Sequence, residues 1–410
     1  MVEPSRHCAS IEVFDSFEQK PLHGSVRADM GMIGAICRLA LATIVLAALG
    51  AAAQPLTVTA EGFDARIGAQ PGPVIVDGRL QWLYELHLSN FVGRTLTVRE
   101  VRVYVDQKRQ PAWTLRGDEL QRRLVTIGAD ETVALAGIAP GRRAVIYLDF
   151  LSGDAAALSR TLRHEVDYLD GDETRTLSLP PVPVAVPATL RLGPPLRGGP
   201  WVAVHSPDWP RGHRRVVIAT GGRARIPGRF AIDWVKTDAQ GKTSRGDADR
   251  VADTLGYGDE VLAVDEAVVA LVRDDMPEPE LVSARRKHAL TDAAGNFVSL
   301  RLSDGRYAVY EHLKPGSIRV RAGDHVRRGQ VIAALGFTGD STGPHLHFHV
   351  ADAAEPAAGE GLPFALSGWR ELGRYGDIGA LGRTPWPAQR ATRLRRNEWP
   401  GWNVVVEFDE

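Results

Sequence analysis

Residues 345–350 read His-Leu-His-Phe-His-Val, an alternation of imidazole and apolar side chains that fits an extended strand. On a strand His345, His347 and His349 share one face, and Leu346, Phe348 and Val350 take the other. The preceding run, Thr-Gly-Asp-Ser-Thr-Gly-Pro at 338–344, is turn chemistry that delivers the first histidine from a set direction. Imidazoles arrayed on one face suit a metal ion. The plainer reading leaves them as polar residues on the solvent side of a half-buried strand.

The rest of the chain is written in the same period. From Leu56 to about Leu179 short alternating runs are separated by turn residues. Trp82, Tyr84, Leu86 and Leu88 form an apolar face opposed by Gln81, Glu85, His87 and Ser89. Leu96 and Val98 keep even parity while Val101, Val103 and Val105 are odd, which requires a bulge near Arg99-Glu100. Such spacing predicts an all-β domain over 54–179, a β-sandwich of immunoglobulin-like character. Its His87 and His164 read as strand-face residues without chemistry. Prolines 180, 181, 183, 187, 194 and 195 crowd the next stretch, so 180–200 reads as an extended linker. A second, strand-rich domain is expected over 201–410, with a C-terminal extension that ends in a closing strand near 402–408.

At 410 residues the chain has material for two cores, and its formal charge of −1 provides no basic field for nucleic acid. The apolar run Leu39–Leu49 follows Arg38 and precedes Ala51-Ala52-Ala53, the pattern of a secretory signal cleaved before Gln54. It is short for a membrane span, so membrane attachment would come only from an uncleaved anchor. Residues 1–53 are therefore read as a doubtful N-terminal extension plus signal, with Met30 or Met32 the better start. Export to the periplasm or cell envelope is the expectation. Cys8 and Cys37 both fall within that leader, leaving histidine and carboxylate as the donors for any metal site.

Several further segments occur in a recognisable order. Tyr257-Gly258, Val261, Ala263 and Val269 are followed by Tyr310-Glu311-His312-Leu313. Next come Val320, Gly323, Val326, Gly329-Gln330 and Ile332, and finally the histidine strand. Over about 215–350 this resembles the LytM/lysostaphin-like zinc endopeptidases, which cut the peptide part of peptidoglycan. The resemblance implies a β-sheet peptidase core and one zinc ion. It also implies that His312 and His345 orient or deprotonate the attacking water and stabilise the tetrahedral intermediate, tasks suited to an imidazole.

One segment departs from the family. There a His-x-x-x-Asp pair and the last histidine of His-x-His hold the metal, whereas Arg229-Phe230-Ala231-Ile232-Asp233 places arginine first. A guanidinium has no free lone pair. The resemblance therefore carries over only Asp233 and His347, and three routes stay open. His349 shares a face with His347 and is taken as the third ligand. Alternatively His205 or His213 reaches in from upstream. Otherwise Arg229 pairs with Asp233 or with a substrate carboxylate in a metal-free groove. The first two routes imply a hydrolase. The last implies a module that binds peptidoglycan or activates a separate cell-wall amidase without cutting. A further alternative makes the first sandwich an adhesion or docking module.

Overall fold

The computed structural model describes residues 62–128, 137–154, 161–185 and 190–409. The signal run, both cysteines and the alternative starts lie outside the described residues. Among those described, no helix is long and apolar enough to cross a membrane.

Alternation builds the first half, whose described residues are all β apart from the seven-residue helix Gly117–Arg123. One sheet orders Phe63–Ile67, Arg79–Asn90, Arg143–Asp154 and Leu124–Thr126, with Val74–Val76 also paired to Arg79–Asn90. The other orders Glu173–Ser178, Thr161–Asp170, Leu96–Val105 and Trp113–Arg116. Trp82, Tyr84, Leu86 and Leu88 of the first sheet meet Val98, Val101, Val103, Val166 and Tyr168 of the second in one core. The change of parity is accommodated as expected, by a register slip between Val98 and Glu100.

A polar outer face on Arg79–Asn90 is what alternation alone implies, and the structure differs. Gln81, Glu85 and His87 are buried along with their apolar neighbours. The cause is the second half of the chain, which packs against this face: Leu83 joins a core made mainly of residues beyond 190. His164, on the second sheet, is also buried, with the Tyr84 hydroxyl 2.9 Å from its Nε2. In the proline-rich stretch Val182–Pro183 pairs with Thr161–Asp170, and Arg191–Leu192 pairs with Ala365–Leu366.

The second half is organised by a ten-stranded sheet. Its centre runs Phe297–Leu302, Tyr307–Glu311, Leu346–Ala351, Ile232–Lys236, Trp201–Val204 and Val404–Glu407. Tyr310, Leu346, Phe348, Val350, Ile232 and Trp234 pack on the core side. Burial of such a side chain contributes roughly 1.5–3 kcal/mol, so this face pins the register. Asp233 lies opposite His347 on one neighbouring strand, and Glu311 lies opposite His347 on the other. Three polar side chains thus form a row across three adjacent strands, all turned away from the core.

Candidate metal centre

The row supplies the floor of the site. His347 Nδ1 lies 2.8 Å from Asp233 Oδ1. The second carboxylate oxygen is met from a different element: His213 Nε2 is 2.8 Å from Asp233 Oδ2. His213 opens a single 3-10 turn, His213–Arg215, and its approach depends on Gly228. A Cβ at 228 would fall 2.6 Å from that of His213, too close for any side chain other than hydrogen.

His213, Asp233 and His347 therefore bring donor atoms within 4.8 Å of one another. Two imidazoles and one carboxylate are the donor set of a catalytic zinc site with an open position. Burial pushes the Asp233 carboxyl up, but His213 and His345 outweigh that and hold it well below the usual carboxylate range. The residues present thus fit a divalent ion: the carboxylate stays anionic, and its neighbours are imidazoles rather than guanidinium or ammonium groups.

Arg229 is not among those neighbours. Its side chain is buried and turned toward the sandwich, where Nε donates to Glu85 Oε2 at 2.8 Å. Its other nitrogens donate to Glu360 Oε2 and the Gly361 carbonyl, each at 2.9 Å. The pairing of Arg229 with Asp233 that the metal-free alternative offered is replaced by this ion pairing, because Glu85 is a fully buried carboxylate that needs compensation. His205 is likewise engaged elsewhere, with Nε2 3.0 Å from the Pro400 carbonyl and its ring against Trp399.

The structure places His349 behind His347 rather than beside Asp233. His349 Nδ1 is 3.2 Å from His347 Nε2, and Glu311 Oε1 is 3.6 Å from His349 Nδ1. Glu311, His347 and His349 form a second, overlapping group of possible ligands. That group uses the opposite nitrogen of His347, the position from which outer partners orient a metal-binding imidazole. Burial raises the Glu311 carboxyl, so its negative charge is less secure than that of Asp233.

His312 and His345 complete the site. Strand alternation would send His312 to the core side with Tyr310, but its backbone is left-handed, with φ 64°. That turn brings its ring to 4.8 Å from the His345 ring, centre to centre. Both imidazoles are pinned at Nδ1, which donates to the Thr338 carbonyl at 2.8 Å in His312 and to the Gly343 carbonyl at 2.7 Å in His345. In the neutral rings Nε2 then carries the free lone pair. The His345 Nε2 is 3.3 Å from Asp233 Oδ1. The Thr338–Pro344 run holds both carbonyls in place through Gly339, at φ 75°, where a Cβ would fall 2.5 Å from the Gly295 nitrogen. A cavity of about 770 Å³ opens over these groups, lined by His213, Glu311, His312, His347 and His349 together with Val216, Ile218 and Leu290.

The sequence left His213 open only as an alternative to His349; the structure brings His213 to Asp233 and His349 to the other side of His347. The available signals were weak: a glycine beside the anomalous Arg229, and an acidic residue on a strand whose odd face also carries Leu83.

Residues 254–358 match the peptidase family M23. This segment contains His312, His345, His347 and His349 and begins downstream of Arg229 and Asp233. Lysostaphin of Staphylococcus simulans is 34% identical over 108 residues, covering 25% of this chain and 21% of its own. The peptidoglycan DD-endopeptidase ShyB of Vibrio cholerae is 42% identical over 84 residues, covering 20% of this chain and 18% of its own. The chain thus spans about a fifth of the length of these curated relatives. Among solved structures, the catalytic domain of S. simulans lysostaphin aligns with 42% of this chain and 88% of its own, at 18% identity and a TM-score of 0.22. The shared segment, with the two pinned histidines and the His-x-His strand in order, is thus a peptidase M23 segment similar to that of lysostaphin.

Proposed function

We propose that this protein is an exported cell-envelope metallopeptidase that hydrolyses a peptide bond in the peptide part of peptidoglycan, with zinc held by His213, Asp233 and His347. The observation that carries the reading is the pair of 2.8 Å approaches of His213 and His347 to the two oxygens of Asp233. A third ligand is supplied from outside the family's usual segment, so arginine at 229 does not leave the site one donor short. Names of relatives that act on peptidoglycan support the substrate class. The apolar run at 39–49 supports export.

Zinc, when bound, polarises a peptide carbonyl and lowers the pKa of water into the neutral range. The chain's own residues do the remainder. Asp233 keeps negative charge at the floor of the site. Nε2 of His312 and of His345 are the proton-accepting atoms, each fixed in direction by its Nδ1–H bond to a backbone carbonyl. One takes the proton lost by the attacking water, and after protonation the same nitrogens donate to the developing oxyanion and to the leaving amine. His349 and Glu311, behind His347 Nε2, hold that ring in its plane.

The test is elemental analysis of the purified full chain and of His213→Ala, before and after zinc addition, with cleavage of purified peptidoglycan assayed in parallel. One zinc per chain, lost together with cleavage in His213→Ala, supports the reading. No retained zinc and no cleavage in the wild-type chain would make it a non-catalytic wall-binding or amidase-activating module.

A further inference from the structure

The metal ligand His213 and the sandwich are joined by its neighbour. Arg214 is buried, 4% exposed, and its side-chain hydrogen bonds go into the first sheet of the sandwich. Nε donates to Glu85 Oε1 at 3.0 Å and Nη1 to Asp149 Oδ2 at 3.3 Å. Nη2 donates to two backbone carbonyls, Tyr84 at 2.9 Å and Leu148 at 2.7 Å. The next residue, Arg215, lies over the Tyr147 ring at 4.0 Å. Both flanks of the turn are therefore held: Gly228 sets the clearance on the peptidase side, and Arg214 and Arg215 set the position from the sandwich.

The geometry points to the sandwich as a built-in part of the metal site, in which Glu85 acts as a positioning residue that fixes His213 through Arg214. This rests on the ligand set proposed above. Glu85 has two oxygens and two guanidinium partners. Oε1 accepts from Arg214, beside the ligand that is present, and Oε2 from Arg229, at the position where the family's ligand would stand. Burial raises the Glu85 carboxyl, but Arg229 and Arg214 outweigh it and keep the group ionised. One carboxylate of the sandwich thus turns Arg229 away from the metal and aims His213 toward it. A chain with His213 but no docked sandwich would carry that histidine on a free three-residue turn, and ordering it on binding would cost affinity.

The experiment measures zinc dissociation constants by chelator competition on the full chain, at temperatures where near-UV circular dichroism shows each variant folded. Glu85→Gln is expected to weaken zinc binding by ~10- to 100-fold, the range for groups that orient ligands. Asp149→Asn, which loosens the same arginine, should weaken it less. As a control, Asp77→Asn removes the ion pairs to Arg374 and Arg395, which also join the two halves but lie away from the site. It should leave zinc affinity unchanged. In a His213→Ala background Glu85→Gln should have no further effect, because there is then no ligand to position.

If Glu85→Gln lowers thermal stability but leaves the zinc constant at the wild-type value, the positioning role is overturned while the ligand set stands. A variant that does not fold hands the decision to Asp149→Asn, for which an unchanged zinc constant is equally fatal. An unchanged constant in His213→Ala overturns the ligand set itself, and the positioning role falls with it.

Discussion

His213 Nε2 and Asp233 Oδ2 are 2.8 Å apart, although 20 residues and a change of element separate them. Arg229, only four residues before Asp233 in the chain, has its guanidinium among Glu85, Glu360 and the Gly361 carbonyl instead. The ligand set proposed here therefore uses a contact that only tertiary packing creates.

This exchange makes two substitutions behave unlike each other. His213→Ala should weaken zinc binding by more than the roughly 10- to 100-fold that loss of an outer partner costs. Arg229→His should leave zinc affinity close to the wild-type value, since the position faces away from Asp233, but should destabilise the fold. Removing one partner of a buried ion pair costs about 3–5 kcal/mol, and here Glu360 loses its guanidinium partner while Glu85 keeps only Arg214 of its two. Chelator competition and chemical denaturation, run on both variants, separate the two effects.

Gly228→Ala tests the clearance that admits the ligand. The glycine's backbone, at φ −83° and ψ 18°, is open to any residue, so strain in φ is not the issue. The added methyl would meet the His213 Cβ at 2.6 Å and its carbonyl oxygen at 3.1 Å, and the turn must move. Zinc affinity is expected to fall, and the zinc-free chain to lose stability as the buried Arg214 shifts with the turn. An unchanged zinc constant would show that the turn relocates without disturbing the ligand.

How much of this was legible in the sequence follows from the range of the forces involved. Alternation is a local property, so the shared face of His345, His347 and His349 and the bulge before Glu100 could be read directly. Position 312 was reached by resemblance, but its left-handed backbone could not be, because that depends on Thr338 and Ala294 receiving its ring and its amide. The burial of Glu85 and His87 was misread for the same reason: a strand's polar face looks solvated until a distant part of the chain covers it. His213 lay furthest from view. Its place is set by guanidinium contacts to carbonyls more than 60 residues away in the chain, which leave no periodic trace.

Two buried histidines of the sandwich should make stability fall in mild acid. His87 and His164 are each pushed down to about 4, chiefly by burial. The unfolded chain, with histidines near ~6.5, binds more protons between those values. Stability is thus fully present above about pH 6.5 and is lost as pH falls toward 4, by up to about 3 kcal/mol for each histidine. Glu85, whose carboxyl is depressed, adds a further loss only at pH values below the ordinary carboxylate range. Denaturation midpoints from pH 7.5 to 4 should show this slope. In His164→Leu the slope should be reduced by about one proton, and an unaltered slope would mean that His164 is not the titrating group.

His349→Ala and His312→Ala should split binding from chemistry. His349 touches His347 Nε2 and is one bond removed from the donor cluster, so its loss should weaken zinc binding by ~10- to 100-fold. With zinc restored in excess, most of the cleavage rate should return. His312 meets neither Asp233 nor His213 within hydrogen-bonding distance; its ring is 6.0 Å from that of His347, centre to centre. Its replacement should leave the zinc constant near the wild-type value and reduce kcat by about 10²–10⁴, the usual share of a positioned proton-transfer group. Excess zinc should not restore that rate. The opposite pattern, with His312→Ala rescued by zinc and His349→Ala not, would exchange the two roles. His349 would then stand with the reacting groups, and the ligand set would shift to Glu311, His347 and their neighbours.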